Sequence, residues 1–84
     1  MDLKDTIDLM TSEDYKKRFE AEYYQLKIRE QKLHSMLVRY DAGTLGFSPD
    51  CSIQLLKDQL RIMADYAYAL EIRAEIEGIQ LHNP

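Results

Sequence analysis

Glycine and proline are scarce in this chain of 84 residues: three glycines and two prolines, all but Gly78 and Pro84 confined to one short central segment. A multi-stranded sheet needs turn residues at regular intervals, so this scarcity points to an all-α fold. Cysteine is rarer still. The single Cys51 excludes an internal disulfide, and a lone thiol in a chain without an apolar signal segment points to the cytoplasm. No apolar run approaches the roughly 18 residues that a membrane span requires. Catalytic signatures are missing too: there is no HExxH, CxxC, GxSxG or glycine-rich phosphate loop. His34 and His82 fall in different elements, and Cys51 has no base nearby in sequence. The chain reads as a non-enzyme with no catalytic residues, metal ligands or cofactor.

What is present is globular composition, 45% hydrophobic and 31% charged, in a length that allows one domain near the lower limit for an independent core. The net charge of −4 is unevenly spread: residues 1–14 carry −4, residues 15–40 carry +4 and residues 41–84 carry −4. The overall negative sign, with no helix-turn-helix spacing, argues against a nucleic-acid partner.

Residues 15–41 contain no glycine or proline and hold seven of the eleven basic residues and five of the eight aromatics. Phe19, Tyr23, Leu26, Leu33, Leu37 and Tyr40 mark one apolar face at helical period, predicting a helix over about 12–41 that is roughly 40 Å long. Thr11 or Ser12 is the expected N-cap and Gly43 the left-handed C-cap. Glu22 and Glu30 interrupt the stripe and are expected at its edge or paired with arginines such as Arg29 or Arg73. On the opposite face Ala21, Tyr24 and Ile28 align over two turns, which suggests a second contact surface. Upstream, Leu3, Ile7 and Met10 predict a short amphipathic helix within residues 1–11.

Ser48-Pro49-Asp50 is a helix-start signature, predicting a second long helix over about 49–77. Leu45 and Phe47, in the loop before it, are expected to fold back and plug the hairpin end. Ile53, Leu56, Leu60, Met63, Ala67, Leu70 and Ala74 form an unbroken 3-4 repeat. A second row, Leu55, Ile62, Tyr66 and Ala69, runs beside it. Residues 79–84 read as a tail. Two helices of similar length joined by a compact loop must lie antiparallel, so residues 12–78 form a helical hairpin. Its two-row apolar face is wider than one partner helix covers, predicting a homo-oligomeric helical bundle with Ala21, Ile28, Leu55, Ile62 and Tyr66 at the interface.

On composition alone the simplest reading of the basic helix is that it pairs with the acidic second helix. The competing reading takes the mixture of Tyr15, Lys16, Lys17, Arg18, Tyr23, Tyr24, Lys27, Arg29 and Lys32 as a nucleotide-binding surface, since guanidinium groups grip phosphates and tyrosines stack on bases. Over residues 13–77 the chain resembles small phage-encoded helical hairpins. The first pattern, ExxxLxxRxxKL, is carried by Glu22, Leu26, Arg29, Lys32 and Leu33. The second, LLxxQLxxMxxYxxxLxxR, is carried by Leu55, Leu56, Gln59, Leu60, Met63, Tyr66, Leu70 and Arg73.

These hairpins are similar in architecture and length to the phage sponge proteins that counter bacterial CBASS and Thoeris immunity. That resemblance implies a homo-oligomer in the bacterial host cytoplasm that sequesters a cyclic oligonucleotide or a cyclic ADP-ribose-type signal without cleaving it. In this reading Lys17, Arg18, Arg29 and Arg73 hold phosphates, and Tyr15, Tyr23 and Tyr24 contact base or ribose. The alternative is a protein-binding inhibitor or adaptor that turns Tyr24, Ile28 and the second-helix face towards a host defence protein or another host protein.

Overall fold

The computed structural model describes residues 1–82 and is all-α. A 3-10 turn, Leu3–Thr6, runs into a one-turn helix α1, Ile7–Met10, and is followed by α2, Tyr15–Ala42, and α3, Ile53–Glu77. α2 and α3 pack as a hairpin, and the N-terminal arm (the 3-10 turn and α1) packs on α2. The molecule measures 43 × 24 × 19 Å. Its long axis is the length of α2 at about 1.5 Å per residue, so the body is only two to three helices thick. None of the described helices is long and apolar enough to cross a membrane.

Local chemistry sets where each helix begins. Ser12 accepts the Asp14 N–H at its hydroxyl, and the Asp14 carboxylate accepts the Lys16 N–H at 2.9 Å, so Asp14 caps α2 in place of the expected Thr11 or Ser12. Thr11 instead turns back and donates to the Ile7 carbonyl. α3 starts at Ile53 and not at Pro49, because the Ser52 hydroxyl accepts the Leu55 N–H. Cys51 therefore lies exposed ahead of the helix. Gly43 and Gly78 close the two long helices at φ 76° and 70°, the left-handed conformation that glycine adopts without strain.

The main core cluster sits at the open end of the hairpin. Phe19, Tyr23, Tyr24 and Leu26 of α2 pack with Ala67, Leu70 and Ala74 of α3 and with Ile79 of the tail, and Leu9, Met63 and Leu81 close around them. Two expectations change here. The face of Ala21, Tyr24 and Ile28 is buried within the single chain, so Ala21 and Ile28 are not free to form an oligomer interface while the arm is docked. Gln25, on the same face, donates to the Thr6 hydroxyl at 2.8 Å, which fixes the arm over it. Within the arm the inward residues are Leu3, Thr6 and Leu9, while Ile7 and Met10 are exposed. A 3-10 turn repeats every three residues, so its inner face is i, i+3, i+6 and not i, i+4, i+7.

At the other end Phe47 is 61% exposed and plugs nothing. The tail, by contrast, is tied down: Ile79 is buried, and the His82 N–H donates to the Tyr24 hydroxyl at 3.2 Å. Asn83 and Pro84, the end of the expected tail, lie outside the described residues.

Candidate functional site

The groups that could hold an anionic ligand are those of α2, and the question is which of them the fold has already used. Among the described residues the ion pairs are Lys27–Glu30, Lys57–Asp41, Arg61–Asp58 and Arg73–Glu77. No carboxylate of α3 neutralises a basic residue of α2, so the simple pairing of basic with acidic helix does not occur among them. Lys17 and Arg29 are exposed with no side-chain partner among the described residues. Arg18 is exposed as well, and one of its guanidinium nitrogens donates to the Ser12 carbonyl at 2.8 Å, clamping the turn between the arm and α2. Its other donors remain open to solvent. Arg18 and Arg29 are eleven residues apart, hence about 20° apart around the helix and on the order of 16 Å apart along it.

Tyr15 and Arg73, far apart in sequence, meet at the open end of the hairpin. Arg73 donates to the Tyr15 hydroxyl at 2.7 Å, Tyr15 donates to Glu77 at 3.0 Å, and Arg73 also donates to Glu77 at 3.3 Å. The guanidinium lies 5.0 Å above the Phe19 ring, a cation–π contact that positions it further. Desolvation alone would lower the Arg73 pKa, but Tyr15 and Glu77 outweigh it and raise it. The cation is thus fixed in place, half exposed, with its carboxylate partner at the edge of the cluster.

Tyr23 and Tyr24 are placed differently from the ligand-facing positions expected of them. Both rings are buried and meet edge to face. Tyr23 donates to Glu71 at 2.6 Å, and burial together with that carboxylate pushes its phenol well above the usual range. Burial also raises Tyr24, whose hydroxyl lies between Glu20 and the His82 N–H. These rings are structural members of the core, and only Tyr23 reaches a surface groove. In the sequence their spacing already put Tyr23 on the core stripe. Nothing there indicated that the tail would cover Tyr24.

The hairpin has two unlike flanks. On one, two grooves of about 420 and 400 Å³ open between the helices. The first is lined by Lys27, Glu30, Gln31, His34, Leu60 and Ala64. The second runs beneath the tail, with Tyr23 and Glu71 among its lining residues. Lys27 belongs to the basic and aromatic set read from the sequence, whereas Glu30, Gln31 and His34 are absent from it, although they follow Lys27 at helical spacing of three and four. The other flank is marked by the Tyr15–Arg73 contact. By helical rotation it also carries Arg29, Leu33 and Tyr40 of α2 and the row Leu55, Ile62 and Tyr66 of α3. Leu55, Ile62, Tyr66 and Tyr40 are exposed there.

A model of the Sequestin family matches residues 13–76. No curated protein and no solved structure matches the chain. The matched stretch takes in all of α2 and all but the last residue of α3, and the chain therefore belongs to the Sequestin family, whose name suggests sequestration.

Proposed function

We propose that the protein is a phage anti-defence sponge that binds a cyclic nucleotide immune signal, of cyclic oligonucleotide or cyclic ADP-ribose type, and keeps it from its receptor without cleaving it. The Sequestin match over nearly the whole hairpin carries this reading. The unneutralised basic residues of α2 support it, because exposed guanidinium groups without carboxylate partners are poised for phosphate. Arg29, Arg18 and Lys17 are the phosphate contacts. Arg73 joins them by exchanging Glu77 for a ligand phosphate, and Tyr15 turns its hydroxyl to ribose or base. Tyr24 drops out of the contact set because the fold encloses it. Tyr23 stays only as a hydroxyl lining the second groove.

The same reading makes the working form a homo-oligomer in the bacterial host cytoplasm. Leu55, Gln59, Ile62, Tyr66, Ala69, Arg73 and Ile76 follow a 4-3 heptad along α3. Paired antiparallel with a second copy about Tyr66, this row sets Leu55 against Ile76, Gln59 against Arg73 and Ile62 against Ala69. Such an isologous contact covers the exposed row and brings Arg73 to the boundary between protomers. A ligand held there touches both copies.

Titration with cyclic di- and trinucleotides and cyclic ADP-ribose isomers tests the contacts. Arg29→Ala and Arg18→Ala should each weaken the best ligand by about tenfold or more, roughly 1.4 kcal/mol, with the oligomer intact. Unchanged affinity in both variants would remove these residues from the site. Exposed apolar residues along α3 favour a second reading, a protein-binding inhibitor or adaptor, with Tyr24 and Ile28 no longer available to it. Salt separates the two: phosphate capture weakens as salt rises, whereas apolar docking changes little.

A further inference from the structure

Glu22 and Glu30 both interrupt the apolar pattern of α2, but only Glu30 has a cation beside it, Lys27. Glu22 is exposed, as is Arg29, and neither belongs to an ion pair among the described residues. They stand seven residues apart, outside the three- or four-residue spacing at which side chains of one helix meet. Arg18, one turn before Glu22, gives a donor to the Ser12 carbonyl instead. Arg29 has no carboxylate three or four residues away on either side, where the chain holds Gln25, Leu26, Lys32 and Leu33. The fold thus leaves one carboxylate and one guanidinium unmatched on the same face.

The face they share is a seam. Glu22, Leu26, Arg29, Leu33, Met36 and Tyr40 follow one another at spacings of four and three, the heptad rhythm of a helix that packs lengthwise on another. Leu33 and Met36 are half-buried and Tyr40 is exposed, so the seam stays open in the single chain. By helical rotation it lies on the same flank as the row Leu55, Ile62 and Tyr66 of α3. An antiparallel pairing that turns about Tyr66 therefore turns about one point of α2 as well. The contacts of Tyr15 with Arg73 and Glu77, and of Tyr23 with Glu71, set that point close to Leu26. Turning about Leu26 brings Glu22 of one copy almost level with Arg29 of the other, twice by symmetry. Two readings of the flank, one from each helix, thus agree on a single two-fold axis.

We propose that Glu22 and Arg29 pair reciprocally between two copies of this chain, joining α2 to α2 across this flank and fixing an antiparallel dimer in one register. The assignment rests on the pairing of the α3 rows described above, which supplies the larger apolar area. The two ion pairs supply orientation and register. A parallel pairing sets Glu22 against Glu22 and Arg29 against Arg29. A slip of one heptad in the antiparallel pairing does the same to one of the two residues, according to its direction. Each wrong arrangement therefore brings like charges together, and only one matches them. A charged pair on an apolar seam specifies register at little net gain in affinity, so removing Arg29 alone leaves the apolar rows paired. A ligand phosphate that reaches Arg29 takes it from Glu22 of the second copy, as it takes Arg73 from Glu77.

The test reverses the charges and reads assembly with no ligand present, by sedimentation and native mass spectrometry of the full chain. Both positions are exposed, so Glu22→Arg and Arg29→Glu should keep the helix content of the parent by circular dichroism. The parent should dimerise. Each variant alone sets like charges together twice and should self-associate at least tenfold more weakly. An equimolar mixture of the two should recover the parent's association as dimers with one chain of each, because every facing pair is then glutamate with arginine. The double variant Glu22→Arg/Arg29→Glu restores the match within one sequence and should dimerise like the parent, which decides the matter even where a single variant loses helix. A single variant that dimerises as the parent does, a mixture that pairs at random or not at all, or a double variant that stays apart would each overturn the assignment. Parent dimers indifferent to these charges would keep the pairing of the α3 rows and sink this register, whereas a monomeric parent would sink both. Capture of a cyclic nucleotide is read in a separate titration, so either result can fail while the other stands.

Discussion

The two ends of the hairpin are built from the same kind of helix and are covered to different depths. At the open end α2 buries Phe19, Ala21, Tyr23, Tyr24, Leu26 and Ile28, and α3 buries Ala67, Leu70 and Ala74. At the loop end Leu37 is the one buried residue of α2 beyond Ile28, and α3 buries nothing before Ala67. The apolar repeat of α3 runs through both ends without a break. What differs is the third layer. The N-terminal arm and the tail both dock at the open end, and at the far end Phe47 of the loop stays exposed. Periodicity therefore tells which face of a helix seeks burial, while coverage depends on which other segments are long enough to reach it.

The contrast can be broken most forcefully at its deepest point. Leu70 is 1% exposed, and Leu70→Ala should cost about 2–5 kcal/mol, enough to unfold much of a small domain in a thermal melt followed by circular dichroism. The arm comes next. Thr6 is fully buried, donates to the Leu3 carbonyl at 2.7 Å and accepts from Gln25 at 2.8 Å. Thr6→Val keeps the shape and strands both partners, so a loss of about 1–2 kcal/mol is expected, with faster hydrogen exchange in residues 3–10 and little change in α3. Uniform loss of protection across the chain would show that the arm is not a separate layer.

Tyr23 sharpens the comparison through pH. Its folded pKa is raised above the ordinary 10.0, so the folded state holds the phenol proton where the unfolded state releases it. The resulting stabilisation is complete below pH 10 and is lost as pH rises beyond it. Melting temperature should therefore fall steeply above pH 10. Tyr23→Phe should cost about 1 kcal/mol at neutral pH and flatten that alkaline slope, leaving the part due to Tyr24. The smallest effect belongs to the loop end. Ile62→Asp should change the stability of the isolated chain by no more than about 0.5 kcal/mol, as expected of an exposed position, while abolishing self-association measured by sedimentation. A large loss of monomer stability would mean that the seam is part of the intrachain core.

Much of this was legible in residue order. The long helices, the Gly43 stop and the stripe through Phe19, Tyr23 and Leu26 follow from spacing and propensity. The coverage of Ala21 and Ile28 was not legible, because an apolar back face looks the same whether its own arm or another copy lies on it. The arm's register was hidden by its 3-10 geometry, and the Ser48-Pro49-Asp50 signature pointed to a start four residues before the one that Ser52 caps. At the candidate site, Arg18 and Arg29 could be picked out as exposed basic residues. The Tyr15–Arg73–Glu77 cluster is a product of tertiary packing, with no local signature.

Native mass spectrometry of the protein mixed with cyclic di- and trinucleotides and cyclic ADP-ribose isomers tests the central claim most directly. The account predicts an oligomer carrying whole ligand masses, recovered unchanged when the protein is denatured. Ligand-free protein across the whole panel, or ligand returned as cleavage products, would contradict it.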